Sequence, residues 1–318
     1  MLTCETTMDE PSDRSCIACG AQAGSARRFR RTGYLTRRCS GCGLGWIANP
    51  PRSDQLSALY STGFYAPGPV RRGRWVELGH DLNNAIRMRQ LRGLPIGRLL
   101  DVGSGRGRFL GAAKAVGWAV VGIEPEPGVA EATGRRFGVE VVISDAVSPS
   151  VRGSFDVITM WHVLEHLPDP RAALDRAAGL LRPGGTLIVS VPNNDSLQAR
   201  LGGDAWLHLD IPRHIYQFNP GSLSRLVEHA GLKVERIGHF YPEMEVLGVI
   251  QTILNRLGVE PDLLYRFAKR DQTVRWRPGV LLSVAVAAAT LPLALSWAIL
   301  APLLRTGASI QLVARRPE

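Results

Sequence analysis

The chain has 318 residues, 45% of them hydrophobic, and a formal net charge of +10 at pH 7. This length exceeds that of one typical domain and the apolar content supports a sizeable core, which excludes an unstructured chain and favours one catalytic domain with additions. The excess of positive charge favours partners that carry phosphate, such as nucleic acid or anionic lipid.

The first 45 residues contain two C-x-x-C pairs with the spacing of a zinc ribbon. Cys16 and Cys19 form the first pair, Cys39 and Cys42 form the second, and a glycine follows each pair. Four thiolates can surround Zn²⁺ tetrahedrally and leave no position open for catalysis, so the predicted metal is structural. Buried free cysteines or disulfides are the alternative, but the absence of a recognisable secretory signal favours zinc. Cys4 is left over and is expected to be inert.

Residues 46–80 form a connector that is rich in proline and glycine. The pattern predicts a short helix over 53–60 and a further helix over 82–94 that leads into the first strand of the next domain. The aromatic residues Tyr60, Phe64 and Tyr65 are expected either to cover a bound ligand or to pack against the sheet.

Residues 99–191 alternate between apolar strands and helices. Strands are predicted over 99–102, 118–124, 140–145 and 185–191, and residues 154–166 are predicted to form a further strand, the fourth in order, followed by a polar turn. Helices are predicted over 107–116, 126–137 and 170–181. Because parallel strands need crossover helices between them, this alternation predicts a largely parallel sheet.

The first strand runs into a glycine-rich turn. Gly103, Gly105 and Gly107 follow Asp101 and let the backbone approach a ligand closely, while the next helix offers free N–H groups. The spacing is G-x-G-x-G rather than the G-x-G-x-x-G of dinucleotide-binding folds, which argues against NAD. Glu124 ends the second strand, where a carboxylate can bind both hydroxyls of a ribose.

These motifs, taken in order, resemble those of class I S-adenosylmethionine-dependent methyltransferases. The matching residues are Asp101-Val-Gly-Ser-Gly-Arg-Gly107, Glu124, Asp145, Phe155-Asp156 through His166-Leu167, and Leu181-Arg-Pro-Gly-Gly185. The resemblance covers residues 80–241 and the last ten residues. It implies an α/β fold with a doubly wound, mostly parallel seven-stranded sheet whose last strand is antiparallel, and it implies S-adenosyl-L-methionine as the cofactor.

The resemblance also implies a set of cofactor-binding residues. These are Asp101, Gly103, Ser104, Gly105, Gly107, Glu124, Asp145, Ala146 and Trp161. Asp101 and the glycine turn are implied to line the methionine and ribose part of the cofactor, and Glu124 to hold the ribose. Asp145 and Ala146 are implied to face the adenine.

The loop after the fifth strand contains candidate catalytic residues. Ligands bind beyond the carboxyl ends of the strands in such sheets, and this loop carries His208, Asp210, Arg213 and His214. Methylation of a hydroxyl requires removal of its proton, and histidine titrates in the useful range. His214 or His208 is therefore the candidate base, with Asp210 as its orienting partner and Arg213 as the contact for an acidic group of the substrate.

Two further histidines follow the fourth strand. In the geometry that the resemblance implies, His162 and His166 lie close to the cofactor sulfur, which makes them rival bases. For each of the four histidines, a structural role as a hydrogen-bonded anchor of a helix or loop is the alternative.

The end of the chain returns to the sheet. A sixth strand is predicted over 232–241, and its antiparallel partner is predicted over 308–316. Residues 242–304 are therefore an insertion between two neighbouring strands. An amphipathic interfacial helix is predicted over 244–257.

Residues 278–304 carry no charge over 27 positions, a length typical of a transmembrane helix. A single crossing would separate the last strand from its sheet, and Pro292 divides the stretch into two arms of about 12 residues, each about 18 Å long as a helix. The sequence therefore predicts a helical hairpin that enters one leaflet, with the basic residues Arg277 and Arg305 on its cytoplasmic flanks. A pair of core or dimer-interface helices is the alternative.

The expected organisation is a zinc-ribbon-like segment over 1–45, a connector over 46–80, a methyltransferase core over 81–241 and 305–318, and a membrane-associating helical insertion over 242–304. The expected activity is methyl transfer to a hydroxyl, or to a carbon, of a small, sugar or lipid-linked acceptor at the cytoplasmic membrane face. The protein is then cytoplasmic and peripheral or monotopic. This combination resembles bacterial methyltransferases of sugar and polysaccharide pathways.

Two other functions stay open at this point. A nucleic-acid methyltransferase would use the basic ribbon, but Trp161-His162-Val163 stands where an Asn/Asp-Pro-Pro-aromatic cluster would be expected after the fourth strand. A non-enzymatic scaffold would keep the fold without the chemistry, and the intact glycine turn argues against it. The sequence leaves the oligomeric state open.

Overall fold

The computed structural model describes residues 15–29, 32–52, 55, 74–146, 150–239, 241–259, 263–264 and 278–318. The predicted helix over 53–60, the aromatic residues Tyr60, Phe64 and Tyr65, and Cys4 lie outside the described residues.

The described chain forms two sheets and eight helices longer than one short turn. The strands are β1 (Ala23–Arg28), β2 (Leu35–Cys39), β3 (Gly45–Ile47), β4 (Arg98–Val102), β5 (Ala119–Glu124), β6 (Glu140–Ile143), β7 (Phe155–Trp161), β8 (Leu181–Pro192), β9 (Tyr216–Gln217), β10 (Lys233–Gly238) and β11 (Ser309–Arg315). The helices are α1 (Arg74–Arg89), α2 (Arg108–Ala115), α3 (Pro127–Phe137), α4 (Pro170–Leu180), α5 (Leu197–Gly202), α6 (Pro220–His229), α7 (Pro242–Arg256) and α8 (Pro278–Leu303).

Seven strands form the central sheet in the order β10-β11-β8-β7-β4-β5-β6. The pairings from β8 to β6 are parallel, whereas β11 is antiparallel to both β8 and β10. This topology confirms the predicted doubly wound sheet with an antiparallel last strand. It also brings the carboxyl ends of β4, β5, β7 and β8 to one edge, where ligands bind in such sheets.

Alternate residues of each central strand face opposite layers of helices. Leu99, Val157 and Ile188 pack with Phe109 and Leu110 of α2 on one face. On the other face, apolar residues of the same strands pack with the buried sides of α4 and α6. Because successive side chains of a strand point to opposite faces, burial on both sides requires the near-continuous apolar runs that the sequence shows.

The start of the core differs from the prediction. The helix expected over 82–94 is α1, which begins at Arg74 and ends at Arg89. A run of turns from Gln90 connects it to β4, and Gly93 there has a φ of 81°. This left-handed conformation does not continue a helix and is readily adopted by glycine.

The amino-terminal cysteine segment forms a four-stranded antiparallel sheet in the order β1-β2-β3-β9. Its fourth strand, β9, comes from the loop that carries the candidate catalytic histidines. Trp46 of β3 is paired with Tyr216, and the N–H of Ile47 donates to the carbonyl of Ile215 at 2.9 Å. The cysteine segment is therefore joined to the core through that loop.

The predicted helical hairpin over 278–304 is wrong, because residues 278–303 form one continuous helix, α8, with Pro292 inside it. Proline lacks the N–H that would bond to the carbonyl four residues earlier, but it does not by itself reverse the chain. The neighbours of Pro292 are Leu291 and Leu293, which favour a helix, and no glycine stands nearby to form a turn. A sequence of this kind keeps the helix instead of folding it back.

Helix α8 is long and apolar enough to cross a membrane by length and composition, at about 39 Å for its 26 residues. Ala294 packs against Ile250 and Leu254 of α7. In the most apolar 18-residue stretch of α8, only 17% is buried against the described chain. A core helix of a soluble protein is instead mostly buried. Its outer face carries exposed leucines and isoleucines, among them Leu281, Leu293, Leu295, Ile299 and Leu303.

A buried carboxyl group joins the insertion to the sheet. Glu245 of α7 is fully buried and accepts hydrogen bonds from Gln198 Nε2 of α5 at 2.6 Å and from the N–H of Ala308, just before β11. Burial raises the pKa of Glu245 to about 7. The two ends of the insertion are therefore held together at the start of β11.

Candidate active site

The glycine turn follows β4 and precedes α2. Gly103, Gly105 and Gly107 have φ values of 69°, 53° and 69°. Residues that have a Cβ rarely adopt such positive φ values. A Cβ at Gly103 would lie 2.5 Å from Val163, and one at Gly107 would lie 2.2 Å from Thr133. At Gly105 the space within 4 Å is open. The turn is thus packed at both ends and open in the middle, as close approach by a ligand requires.

Glu124 at the end of β5 lies against this turn. Its Oε2 accepts the N–H of Gly105 at 2.9 Å, and its Oε1 accepts the N–H of Glu126 at 3.1 Å. The carboxylate is largely buried, and burial raises its pKa. The structure therefore brings together the turn and the carboxylate that the sequence analysis singled out.

Asp101 is the second buried acid at this edge of the sheet. It is 2% exposed, and its Oδ1 accepts the hydroxyl of Thr159 at 2.6 Å. Burial raises the pKa of Asp101 to about 7, although the Thr159 hydrogen bond and the charge of Arg87 act against the rise. A buried acid without an ion-pair contact among the described residues suits a ligand that brings a positive charge.

Other cofactor candidates lie at the carboxyl ends of β6 and β7. Ala146 is buried after β6, next to Asp145. Trp161, at the end of β7, lies edge-on to Phe109 with ring centroids 5.4 Å apart, and the guanidinium of Arg87 lies 5.4 Å from its ring centre. An open glycine turn, a carboxylate beside it and a buried acid are the features that an amino-acid-bearing nucleoside such as S-adenosylmethionine requires, so the residues present fit this cofactor.

His162 comes directly after β7 and has a φ of 56°. Such a left-handed backbone costs about 1–3 kcal/mol for a residue other than glycine. Its ring is held at both nitrogens, by Glu165 Oε1 at 3.3 Å and by the Ser190 hydroxyl at 3.4 Å. Burial lowers the pKa of His162 to about 3, and the charge of Arg87 adds to this effect.

His166 and His214 form a pair, with ring centroids 4.6 Å apart. The Nδ1 of His166 faces the carbonyl of Arg213 at 3.1 Å, and the Nδ1 of His214 faces the carbonyl of His208 at 2.8 Å. A carbonyl can only accept, so each Nδ1 carries the hydrogen and each Nε2 carries the lone pair. Burial lowers the pKa of both rings to about 4, which leaves them neutral at pH 7. Both rings are therefore able to accept a proton at Nε2.

Asp210 and Arg213 pair with each other. Arg213 Nε donates to Asp210 Oδ2 at 2.9 Å, and a second bond joins Arg213 Nη2 to Oδ1 at 2.5 Å. His214 Nε2 lies 3.9 Å from Asp210 Oδ2, beyond hydrogen-bond distance. Asp210 therefore interacts with His214 only electrostatically, whereas it is hydrogen-bonded to Arg213.

His208 lies apart from the pair and anchors the loop. Its Nε2 donates to the carbonyl of Met244 in α7 at 2.8 Å, and its ring lies edge-on to Trp206. Burial lowers its pKa to about 4. The structure therefore brings His162, His166 and His214 to one end of β7 and places His208 against the insertion.

Glu165 is a site residue that the sequence analysis missed. It is 1% exposed and contacts His162, and burial raises its pKa. Glu165 also lies near His166 and His214. Each of these three side chains offers one ligand atom, and the three atoms lie within 4.8 Å of one another, so the group could also hold a metal ion. The signal in the sequence was an acid directly before His166 in the turn after β7.

The four paired cysteines converge at one point. Cys16 and Cys42 have their Sγ atoms 3.4 Å apart, as do Cys19 and Cys39, and all four Sγ atoms lie within 4.8 Å of one another. These separations exceed a disulfide bond length of about 2.05 Å and fit four thiolates around one zinc ion. The cluster is tied to the core because Asn219 Nδ2 donates to the carbonyl of Cys42 at 2.9 Å.

Comparison with known proteins identifies the core. Residues 72–237, just over half of the chain, match a family model described as a methyltransferase domain. A protein of Thiobacillus denitrificans named ubiquinone biosynthesis O-methyltransferase is 31% identical over 190 residues, which cover 55% of this chain and 78% of that protein. A protein of the same name from Marinobacter nauticus is 31% identical over 191 residues, covering 55% and 77%. These names refer to quinone biosynthesis, not to the sugar pathways that the sequence analysis suggested.

Solved structures share the fold. The complex of the Haloferax volcanii Trm112 methyltransferase activator with a methyltransferase matches with a TM-score of 0.52 at 14% identity, covering 83% of this chain and 97% of that chain. The [4+2]-cyclase SpnF matches with a TM-score of 0.51 at 19% identity, covering 84% and 97%. At this identity the likeness concerns the fold alone, and the different name of SpnF shows that one fold serves several reactions.

Replacement of Asp101 by asparagine should stabilise the ligand-free protein. Burial raises the pKa of Asp101 to about 7, so the folded state binds the proton more tightly than the unfolded chain. Stability then falls as the pH rises from the unfolded pKa toward 7, and asparagine removes this loss. The gain in unfolding free energy of Asp101→Asn should grow by about 2–3 kcal/mol between pH 5 and pH 8, measured by urea titration.

The same substitution should weaken cofactor binding. A neutral amide loses a charge-assisted contact, so the Kd for S-adenosylmethionine in calorimetric titration should rise at least about tenfold. Asp175→Asn, at an exposed position of α4, is the matched control and should change neither quantity. A stability gain that does not depend on pH, or an unchanged Kd, would contradict this assignment of Asp101.

Proposed function

The chain belongs to the class I S-adenosylmethionine-dependent methyltransferases, and we propose that it methylates a hydroxyl of a small, lipid-like acceptor at the cytoplasmic face of a membrane. The observation that carries the proposal is the His166–His214 pair, whose Nε2 atoms hold lone pairs at the carboxyl edge of the sheet. The two relatives named for ubiquinone biosynthesis support a lipid-like acceptor. A sugar-linked or carbon acceptor is compatible with the same site.

The cofactor is proposed to lie across the glycine turn. When bound, it supplies a methyl group on a sulfonium, which an acceptor oxygen attacks in line. Glu124 would bind the ribose and Asp101 would face the amino group, while Asp145 and Ala146 would flank the adenine. Trp161 would exclude water from this end of the site.

His214 is the proposed base. Its Nδ1–H is held by the carbonyl of His208, so its Nε2 can take the proton of the acceptor hydroxyl. The positive charge that then develops on the ring lies near Glu165 and Asp210, both of which favour it. His166 has the same tautomer and is the alternative base, and His162 contacts Glu165 in the same turn after β7.

Substitution of His214 should remove turnover and spare cofactor binding. His214→Gln, which keeps a polar side chain in the buried space, should lower kcat about a hundredfold or more, because general-base catalysis is lost. The assay follows labelled methyl from S-adenosylmethionine into separated lipid, polysaccharide and RNA fractions. We expect the label in the lipid fraction.

Two controls complete this experiment. His229→Ala, at an exposed position of α6, should retain full turnover, and His166→Gln tests the alternative base. Wild-type turnover in His214→Gln would remove His214 from the mechanism. Label in RNA alone would overturn the proposed acceptor class.

We also propose that the four-cysteine cluster holds one structural zinc ion. Four thiolates complete the coordination sphere, so the metal would stabilise the amino-terminal sheet and take no part in methyl transfer. Purified protein should contain about one zinc per chain by atomic spectrometry, and Cys39→Ser should lose the metal and lower the melting temperature. Cys4→Ser is the matched control and should keep both. Full metal content in Cys39→Ser would refute the assignment.

Helix α8 is proposed to hold the protein on the bilayer. The helix lacks charge from end to end, and its outer face is exposed to solvent in the described chain. Leu293 and Ile96 are 62% and 63% exposed, but Ile96 lies in the turns just before β4, at the amino end of that strand. They form a matched pair for a test.

Leu293→Asp should lower partition into phosphatidylcholine vesicles by about a hundredfold, because a carboxylate within the hydrocarbon costs about 2.5–3.5 kcal/mol. Ile96→Asp should leave partition unchanged. Wild-type protein that stays in the soluble fraction without detergent, as a dimer that Leu293→Asp dissociates, would show instead that α8 is a subunit interface.

A further inference from the structure

A cavity of about 630 Å³ opens where β8 leaves the sheet and β11 enters it. Four parts of the chain line it: the cysteine segment at Gly43, the region after β8 with Asp195 and Arg200, the start of α6 at Gly221, and the end of α8 at Arg305. It lies at the carboxyl edge of the sheet, beyond β8, whose Ser190 contacts His162. None of the groups assigned above to the cofactor or to proton transfer lines this cavity.

The lining of the cavity carries an excess of positive charge. Its single acidic lining residue, Asp195, is ion-paired with Arg38 at 2.6 Å. Arg200 and Arg305 have no ion-pair contact among the residues that the structure describes. The N–H of Gly221, in the first turn of the ten-residue helix α6, has no acceptor within the same described ranges. Two guanidinium groups and a helix-start N–H together form a recognisable site for a phosphate group.

The backbone holds Arg305 in place. The N–H groups of Arg305 and Thr306 donate to the carbonyls of Pro302 and Ala301 in the last turn of α8. Arg305 itself has a φ of 53°, which turns the chain out of the helix toward β11. The arginine is therefore fixed at the junction between the apolar helix and the sheet.

Apolar surface lies directly beside this charge. Leu304 lines the cavity, and Leu303 and Leu304 are 74% and 64% exposed. A free phosphate ion would gain nothing from these leucines, whereas a phosphate carried on an acyl or prenyl chain would bury them. This arrangement also matches the usual place of arginine where an apolar helix meets the bilayer surface.

We propose that this cavity binds the phosphate group of a lipid, with Arg200, Arg305 and the N–H of Gly221 as its contacts. The proposal rests on the membrane placement of α8 proposed above and adds to it a site for one chemical group. The phosphate is either that of a bilayer lipid or that of the lipid carrier of the acceptor. Binding there would hold the carboxyl edge of the sheet against the membrane.

Vesicle sedimentation of the 318-residue chain tests the proposal. Partition is measured into phosphatidylcholine vesicles with and without phosphatidic acid. Wild-type protein should bind more tightly when phosphatidic acid is present. The partition of Arg200→Gln/Arg305→Gln into vesicles with phosphatidic acid should be roughly thirtyfold weaker than that of the wild type, the equivalent of about 1 kcal/mol for each arginine. Each single variant should bind these vesicles roughly fivefold more weakly.

A double variant of equal charge is the control. Arg92→Gln/Arg171→Gln alters two exposed arginines outside the cavity and should keep the increase. Equal losses in both double variants would show diffuse attraction to charge and would overturn the site, as would a wild-type protein without any increase. Soluble inorganic diphosphate is titrated by calorimetry as a further probe. Arginine-dependent binding of diphosphate without an increase on vesicles would overturn the assignment to a lipid.

Three measurements distinguish the lipid-phosphate site from the membrane placement of α8 and from methyl transfer. Binding to neutral vesicles reports on α8, the increase with phosphatidic acid reports on the cavity, and labelled methyl transfer reports on the activity. Because both arginines are exposed, the variants should keep their melting temperature and their affinity for S-adenosylmethionine.

Discussion

The position of β11 inside the central sheet constrains everything that follows the core. This strand pairs with β8 along its whole length and with β10 on its other side, and its residues from Ser309 to Ala314 are buried. The chain must therefore return from the insertion to the sheet interior, whatever the insertion does. Glu245 secures this return by accepting the N–H of Ala308 immediately before the strand. Helix α8 consequently ends at the same edge of the sheet at which the ligand sites lie.

A second connection of this kind joins the cysteine cluster to the histidine loop. Strand β9 contributes two residues to the amino-terminal sheet and begins two residues after His214. The N–H of Ile215 donates to the carbonyl of Glu165 at 2.8 Å, so the same short segment also contacts the turn after β7. A side chain in a loop is positioned only as well as the backbone that carries it. The cysteine segment thus bears on the geometry of His214 although it lies far away in sequence.

The sequence predicted the parts of the fold that depend on local patterns. The alternation of apolar strands and helices, the glycine turn and the position of Glu124 all follow from spacing along one stretch of chain. The strand order confirms the alternation, and Glu124 accepts the N–H of Gly105 in the turn. Strand β9 could not be predicted in this way, because two residues form a strand only when a distant segment supplies the partner. The burial of Glu165 likewise depends on tertiary contacts. Pro292 misled the prediction because its effect on a helix depends on the residues around it.

The candidate site lowers the stability of the folded protein. Asp101, Glu124 and Glu165 are carboxyl groups whose pKa values burial raises, and they stand within one edge of one sheet. His162 adds a left-handed backbone at the same edge. Such conflicts between local preference and fold concentrate where binding or catalysis requires them. A ligand that brings positive charge to Asp101 and hydroxyls to Glu124 would offset part of this cost, and it would stabilise the fold in proportion to its own affinity. The buried acids that destabilise the fold would then be the ones that favour cofactor binding, and this would couple stability to function.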